Sequence, residues 1–401
     1  MKIYFKDELY DAQLLRALTA VYYGGAEIGD CMVTAQRITE LNADSWFTEW
    51  WRTAEGCEHT GDACLDGGHP VSACEMFLRA SSYYRTAYVF LIGAPDDGRL
   101  MRAYDRHVET FRKAATLFES APETIAIPYE HTTLPGYFFR AEGGAAPRAT
   151  LIVNGGYDST AEESYCFTAA AALRRGYHCL CFDGPGQGAA LIKQGLVFRH
   201  DWERVVTPVV DYALSRPDVD GRRLALMGAS FGGYLAPRAA SVEHRLAACI
   251  ADPGQYDLFA AFRNRIPSFL AQQLPDGNPW LVGMLKRILE RTLRHPTKGW
   301  GLRRGLWTHG VATPLEYLRI TQAYSLRDCA AQITCPTLVC HAANDEIAAQ
   351  APELFAALRC PKHYLSFSDA EGAGQHCEGG NRSLFHQRVF DWLDATLLSG
   401  A

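Results

Sequence analysis

The segment with the clearest chemistry is Gly228-Ala229-Ser230-Phe231-Gly232-Gly233, a G-x-S-x-G pattern. It follows an apolar run, Leu224 to Met227, that is typical of a buried strand, and it precedes a predicted helix. In this strand-turn-helix context the turn exposes a serine hydroxyl above the sheet, where it can act as a nucleophile. Gly228 and Gly232 suit so sharp a turn because neither carries a side chain. The pattern therefore predicts a nucleophile elbow centred on Ser230.

A serine nucleophile needs a general base and a carboxylate that orients the base. His376 ends the segment Glu371-Gly372-Ala373-Gly374-Gln375-His376, just before the last predicted helix. Asp345 follows the predicted strand Thr337 to Cys340. The order Ser, Asp, His along the chain is the one that the elbow architecture uses. We therefore predict that Ser230, Asp345 and His376 form a catalytic triad.

Other carboxylates could orient the histidine in place of Asp345. Asp345 is preferred because the segment around it, Asn344 to Ile347, resembles the usual acid turn. The alternatives are Asp252, which is expected rather to line the pocket or to brace a loop, and two residues close to the histidine, Asp369 and Glu371.

Attack of a serine on a carbonyl creates an oxyanion that backbone N–H groups stabilise. Phe231 is expected to supply one N–H group, and the loop Asn154 to Ser159 is expected to supply the second from Gly156 or Tyr157. Tyr157 could instead pack beneath a cap. Four further residues are candidates for the substrate pocket: Asp158, Asp252, Tyr256 and Trp300.

Two other patterns suggest ligands and are interpreted as structural. The run Asp183-Gly184-Pro185-Gly186-Gln187-Gly188 departs from the spacing of a dinucleotide-binding loop and is expected to form a tight turn at the sheet edge. The cluster formed by Cys57, His59, Cys64, His69 and Cys74 lacks the spacing of a zinc site and is expected to be ordinary loop sequence. We therefore predict no metal and no cofactor.

The elements around these residues follow from hydrophobic periodicity. Apolar residues recur at helical spacing up to about Ser120, and a strand pair follows near residues 124–139. Apolar strands then alternate with helices, which predicts an α/β fold with a mostly parallel sheet covered on both faces. The predicted domains are a helical cap at 1–121, a core at 122–257 and 329–401, and a helical lid at 258–328.

Composition narrows the function classes. The chain has 401 residues, a net charge of −6 and no dense Lys/Arg cluster, so a nucleic-acid partner is not expected. No apolar run is long enough for a membrane span, and the N-terminal residues lack the pattern of an export signal. Thirteen cysteines, an odd number, suit a reducing compartment. We expect a cytoplasmic protein that acts on a small-molecule substrate. The protein is also a candidate homodimer, with its N-terminal helices as the dimer surface.

Several motifs together resemble one branch of the α/β-hydrolase superfamily, the family that contains 2,6-dihydroxypseudooxynicotine hydrolase and the fungal polyketide chain-shortening hydrolases of pigment synthesis. The likeness covers nearly the whole chain. It rests on Gly155 to Ser159, Phe182 to Gly188, Gly228 to Gly233, Glu371 to Glu378, and the N-terminal Tyr22 to Ala26.

The resemblance implies a serine triad of Ser230, Asp345 and His376 beneath a helical cap. It also implies cleavage of a carbon–carbon bond next to a carbonyl, or of an ester-type bond, in a small aromatic or polyketide-like substrate. One departure is Ala189, where the family often has Glu after the G-P-G-Q-G turn. The alternatives are a cyclase, transacylase or dehydratase on the same fold, and a ligand-binding protein without catalysis.

Overall fold

The structure is a computed structural model that describes residues 1–143, 146–263, 266–273 and 277–398. Eight strands form one sheet in the order β1-β2-β4-β3-β5-β6-β7-β8. The strands are β1 Glu123–Tyr129, β2 Thr132–Phe139, β3 Arg148–Asn154, β4 His178–Phe182, β5 Val219–Ala229, β6 Ala248–Asp252, β7 Thr337–Ala342 and β8 Lys362–Phe367.

Most of the sheet is parallel, as the unbroken apolar runs predict. Strands β4, β3, β5, β6, β7 and β8 pair in parallel, whereas β1–β2 and β2–β4 are antiparallel. Every residue of β4 and β6 is buried, because helices cover both faces of the sheet. The predicted fold class is confirmed.

Five helices precede the sheet: α1 Glu8–Thr19, α2 Ile28–Arg37, α3 Ala43–Asp66, α4 Pro70–Ala87 and α5 Gly98–Ala115. Between β3 and β6 lie a π-helical segment, Tyr165–Ala169, and then α6 Ala170–Leu173, α7 Gly188–Ile192, α8 Glu203–Leu214 and α9 Gly232–Ala240. The helical stretch between β3 and β4 is therefore partly π-helical.

The segment with Cys57, His59 and Cys64 is helical, so the expectation of loop sequence there is wrong. It belongs to α3, which continues through Gly61. A Cβ atom on Gly61 would lie 2.7 Å from the Phe77 ring of α4. This glycine therefore permits close packing of two helices and does not mark a turn.

The insertion between β6 and β7 is mainly helical in its described part: α10 Leu258–Arg263, α11 Ser268–Ala271, α12 Pro279–Leu293, α13 Lys298–Thr308 and α14 Pro314–Ile320. Helices α15 Ala351–Ala357 and α16 Arg382–Leu397 complete the chain. Residues 264–265 and 274–276 of the predicted lid, and 399–401 of the predicted core, lie outside the described residues.

The helices also bear on membrane insertion. Across the described ranges, none of them combines the length and the apolar character needed to cross a bilayer.

Candidate active site

The turn between β5 and α9 places Ser230 at the carboxyl edge of the sheet. Its φ angle is +58°, in the left-handed region that residues with a side chain rarely adopt. A Cβ atom on Gly228 would lie 1.8 Å from the Gly232 carbonyl oxygen, and one on Gly232 would lie 2.5 Å from the Asn154 carbonyl oxygen. Both glycines are therefore sterically required, as the elbow pattern predicts.

Three side chains from separate loops meet at this turn. His376 Nε2 lies 2.9 Å from Ser230 Oγ, and His376 Nδ1 lies 2.6 Å from Asp345 Oδ2. Asp345 Oδ1 accepts a second hydrogen bond from the Ile347 N–H at 3.0 Å. In the geometry of a catalytic triad, the serine hydroxyl donates to Nε2 while Nδ1–H donates to the carboxylate. The structure thus brings the three predicted residues into one hydrogen-bonded chain.

The electrostatics of this chain favour an ion pair between histidine and carboxylate. Burial favours the neutral form of Asp345, but the adjacent His376 outweighs it and holds the pKa of Asp345 below its ordinary value. Desolvation disfavours the charged imidazole, yet the Asp345 carboxylate raises the pKa of His376 well above its usual value. The pair can therefore stabilise the imidazolium that forms when histidine takes the serine proton.

The predicted oxyanion loop lies directly against the nucleophile. A Cβ atom on Gly156 would stand 2.7 Å from Ser230 Cβ and 2.9 Å from the Phe231 nitrogen. The Tyr157 ring stacks on the Phe231 ring with 4.5 Å between centroids. Gly156, Tyr157 and Phe231 are thus adjacent to Ser230, where an oxyanion would form.

Comparisons with known proteins identify the family of the chain. The family model described as the alpha/beta hydrolase family matches residues 150–382. The chain belongs to the alpha/beta hydrolase family. It is 35% identical to hydrolase acrC of Aspergillus aculeatus, with 98% of this chain and 97% of the relative covered. It is also 35% identical, with the same coverage, to 20-hydroxy-prefusarin hydrolase FUS2 of Gibberella moniliformis.

A solved structure gives the same result for the fold. The crystal structure of 2,6-dihydroxy-pseudo-oxynicotine hydrolase superposes with a TM-score of 0.73 at 25% identity, over 96% of each chain. The resemblance drawn from the motifs is therefore confirmed, and this alpha/beta hydrolase is similar to these proteins from end to end.

Gln187 supports the predicted oxyanion loop of this hydrolase, a contact that sequence reasoning missed. Its side-chain Nε2 donates to the carbonyl oxygens of Gly155 at 2.6 Å and Gly156 at 3.1 Å. The turn that carries Gln187 follows β4, which is an interior strand of the sheet. The turn is held by its first residue, Asp183, whose side chain accepts the Ala189 N–H at 2.8 Å. The sequence did contain a signal for this contact. The G-P-G-Q-G turn follows a strand and therefore lies at the same carboxyl edge of the sheet as the elbow, and it carries one side chain, Gln187, that can donate a hydrogen bond there.

The Tyr157 side chain connects the oxyanion loop to the insertion. Its hydroxyl lies 2.9 Å from His309 Nε2 and 2.9 Å from the Tyr317 hydroxyl. Burial lowers the pKa of His309 to about 3, so the imidazole is neutral. Tyr157 therefore packs beneath the insertion, which was the alternative interpretation of this residue.

The side chains of three predicted pocket residues make structural contacts, and their place in a substrate pocket stays a prediction. The Asp158 carboxylate is buried and paired with Arg16 at 2.9 Å, Arg85 at 3.4 Å and Arg304 at 3.6 Å. These guanidinium groups outweigh burial and hold the pKa of Asp158 well below its usual value.

Trp300 is buried, and its Nε1–H donates to the Val89 carbonyl oxygen at 2.9 Å, so it joins the insertion to the N-terminal helices. The Asp252 side chain pairs with Arg382 at 2.8 Å and braces a loop. Tyr256 is half-buried with the Arg327 guanidinium 5.8 Å from its ring centroid, and its place in the pocket stays a prediction.

The alternative acids are engaged elsewhere. Asp252 pairs with Arg382, Glu371 accepts from the Ser368 N–H at 3.0 Å and pairs with Arg388, and Asp369 contacts the Asn344 amide. Asp345 is therefore the carboxylate bonded to His376. Within the described ranges, no group of three or more His, Cys, Asp or Glu side chains is arranged to hold a metal ion.

Proposed function

We propose that this hydrolase uses Ser230 as a nucleophile to cleave a bond next to a carbonyl in a small aromatic or polyketide-like compound. The hydrogen-bonded chain from Ser230 Oγ through His376 to Asp345, at 2.9 and 2.6 Å, carries the proposal. Hydrolases named for oxygenated small molecules among its relatives support the substrate class. The bond is carbon–carbon or of the ester type.

The first step transfers a proton and forms one bond. His376 Nε2 takes the Ser230 proton as the oxygen attacks the carbonyl carbon, and the carbonyl electron pair moves onto oxygen. The Phe231 N–H and an N–H of Gly156 or Tyr157 then donate to that oxyanion. Because Asp345 accepts from Nδ1–H, the imidazolium is stabilised as it forms.

The second step breaks the bond to the leaving group. His376 returns its proton to the departing atom, which is an oxygen in ester cleavage or a carbon in carbon–carbon cleavage. A carbanion leaves only if its charge is delocalised, so a β-diketone or an acylated phenol is the expected carbon–carbon substrate. Water then hydrolyses the acyl-enzyme. The His376 side chain is 43% exposed, which gives water access to the base.

Two helical regions are proposed to cover this site, in line with the expected domains 1–121 and 258–328. On one side the Thr19 hydroxyl, at the end of α1, donates to the Gly379 carbonyl oxygen at 2.9 Å, three residues beyond His376. On the other side His309 and Tyr317 of the insertion contact Tyr157. These contacts support a substrate space bounded by both regions.

The cellular compartment, the partners and the oligomeric state of the enzyme are also proposed. All thirteen cysteines are free thiols, which supports the cytoplasm as its compartment. A small-molecule substrate, without a nucleic-acid or membrane partner, fits the composition. A homodimer through the N-terminal helices stays a prediction.

The test is a covalent trap on Ser230. Incubation with a fluorophosphonate should add one phosphonyl group to Ser230 by mass spectrometry, and Ser230→Ala should abolish the adduct. A panel of aryl esters and β-diketones should then leave an acyl group whose mass reports half of the substrate. Full turnover by Ser230→Ala on any cleaved substrate would refute the serine mechanism. An acyl group that passes to an added alcohol in preference to water would identify a transacylase instead.

A further inference from the structure

A second cluster of charged side chains lies behind His376, fully enclosed. Asp252, at the end of β6, and Glu378, two residues after His376, are both 0% exposed, and Arg382 of α16 is 4% exposed. Arg382 Nη1 lies 2.8 Å from Asp252 Oδ2 and 3.3 Å from Glu378 Oε2, and it donates to the Cys377 carbonyl oxygen at 3.0 Å. The guanidinium thus joins a strand end to the histidine loop.

The backbone of that loop needs to be held. Cys377 and Glu378 follow the histidine with φ angles of +48° and +51°, in a region that residues with side chains rarely adopt. Arg382 is itself fixed between the Phe167 and Phe385 rings, 4.0 and 3.7 Å from their centroids. Its position therefore fixes the two strained residues that carry the histidine.

Asp252 connects this cluster to the nucleophile as well. Its carbonyl oxygen accepts the Ser230 N–H at 2.7 Å, while its carboxylate pairs with Arg382. One residue therefore contacts the elbow through its backbone and the histidine loop through its side chain.

The charges of the cluster do not balance if both carboxyl groups are ionised. Two carboxylates and one guanidinium leave one negative charge in a site without water contact, which is costly. One oxygen of each acid, Asp252 Oδ1 and Glu378 Oε1, has no hydrogen-bond donor among the described residues. Both acids contact the same guanidinium nitrogen, Arg382 Nη1, which brings the two carboxyl groups together on one side of the arginine.

We propose that Asp252 and Glu378 share one proton, so that a carboxyl–carboxylate hydrogen bond with Arg382 clamps the His376 loop to the strand beside the elbow. One proton supplies the missing donor to both unpartnered oxygens and leaves a single carboxylate opposite a single guanidinium. Burial, and then the neighbouring Asp252, raise the pKa of Glu378 well above its usual value, which favours Glu378 as the acid that holds the shared proton.

The other titratable groups that face the cluster do not alter this balance. Burial raises the pKa of the Cys340 and Cys377 thiols, which stay protonated. Burial, together with Arg382, lowers the pKa of His386 well below its usual value, so this imidazole is neutral. Arg382, Asp252 and Glu378 are thus positioning residues. Their effect on the reaction rests on the proposed function, whereas the shared proton does not.

Amide substitutions test the shared proton. In Glu378→Gln the amide N–H replaces the carboxyl O–H, so we expect the urea midpoint to stay within error and the fluorophosphonate labelling rate to change less than threefold. The apparent pKa of labelling should not move, because no charge is removed. The part of the protonated-carboxyl infrared absorption at pH 7 that comes from Glu378 should disappear, while any band of Asp183, whose pKa is also raised well above its usual value by burial and then by Glu162, should stay. Glu371→Gln is the matched control, since Arg388 and Ser368 lower the pKa of Glu371 to about 2, and it must leave the Glu378 absorption intact.

The double variant Asp252→Asn/Glu378→Gln leaves Arg382 buried without a counter-charge. We expect its urea midpoint to fall and its labelling rate to drop at least tenfold, far more than in either single variant. A lower labelling pKa together with a higher urea midpoint in Glu378→Gln would show two ionised acids and overturn the proposal. Equal labelling rates in the double and single variants would overturn the positioning role.

If the double variant does not fold, the infrared band and the apparent labelling pKa of Glu378→Gln still decide whether the two acids share a proton. Absence of labelling in the unmodified enzyme would count against the serine mechanism alone, because the infrared and unfolding measurements still report the shared proton.

Discussion

The two sides of Ser230 are held in place by different interactions. On the histidine side, Asp345 and the Asp252–Arg382–Glu378 cluster act through charge and directional hydrogen bonds. On the oxyanion side, the contacts are a stack of aromatic rings, Tyr157 on Phe231, and backbone supported by one glutamine. In the proposed mechanism, the histidine side controls protonation and the oxyanion side controls the distance between the N–H donors and the reacting oxygen. Substitutions on the two sides should fail in different ways.

The largest effect is expected on the histidine side from Asp345→Asn. An asparagine is isosteric and can still accept the Ile347 N–H, but it favours the wrong histidine tautomer. We expect kcat to fall by about 10⁴-fold with little change in KM, as the tautomer effect predicts. Steady-state kinetics on an aryl ester would measure it, with urea unfolding as the control for the fold. A loss below tenfold would mean that another group orients His376.

The oxyanion side is tested by Gln187→Leu. Leucine has a similar size but cannot donate to the carbonyl oxygens of Gly155 and Gly156, so the loop is free to relax away from the nucleophile. We expect kcat to fall by about 10²-fold, near the cost of losing one oxyanion donor, with KM nearly constant. Gln194→Leu is the matched control, because its Nε2 donates to the Thr133 carbonyl oxygen at an exposed position. Equal losses in both variants would exclude a specific role for Gln187.

The pH dependence distinguishes the two sides again. The base must be neutral to act, and Asp345 raises the pKa of His376, so kcat/KM should rise with pH through a value above about 6.5, the pKa of free histidine. Below that value the rate should fall about tenfold per pH unit. The ion pair stabilises the fold at low pH, and this contribution is lost as pH rises through the folded-state pKa of His376. Gln187→Leu should leave the pH profile of kcat/KM unchanged, and Asp345→Asn should shift the profile to lower pH. The reverse pattern would contradict the separate roles of the histidine side and the oxyanion side.

Sequence reasoning located the residues whose chemistry is local. Ser230 is identified by glycines two positions away, and Asp345 and His376 follow strands that apolar runs reveal. It missed the support from Gln187 and Arg382, because these contacts join segments far apart in the chain and no short pattern encodes them.

Contacts between distant segments also decide features that no local pattern predicted. Asp158 and Trp300 lie in segments that border the site, yet arginines and a backbone carbonyl from distant helices engage them. The segment with Cys57, His59 and Cys64 was expected to be a loop, whereas it is helical, and close packing on the Phe77 ring requires its glycine, Gly61. A pattern gives the type of a residue, but the partner that it meets depends on the tertiary packing.

The smallest effect is expected where the insertion meets the oxyanion side, in Tyr157→Phe. The variant keeps the ring stack on Phe231 but leaves His309 Nε2 and the Tyr317 hydroxyl without the tyrosine oxygen. We expect a loss of about 1–3 kcal/mol in the free energy of unfolding, the cost of leaving the buried His309 Nε2 without its partner, and a fall in kcat/KM of a few-fold. Tyr177→Phe is a matched control, because its hydroxyl donates to Asp394 on α16 at 2.7 Å. Equal destabilisation with a lower kcat/KM only in Tyr157→Phe would show that the insertion acts on the oxyanion loop. Unchanged kinetics in both variants would mean that the insertion covers the site without controlling its geometry.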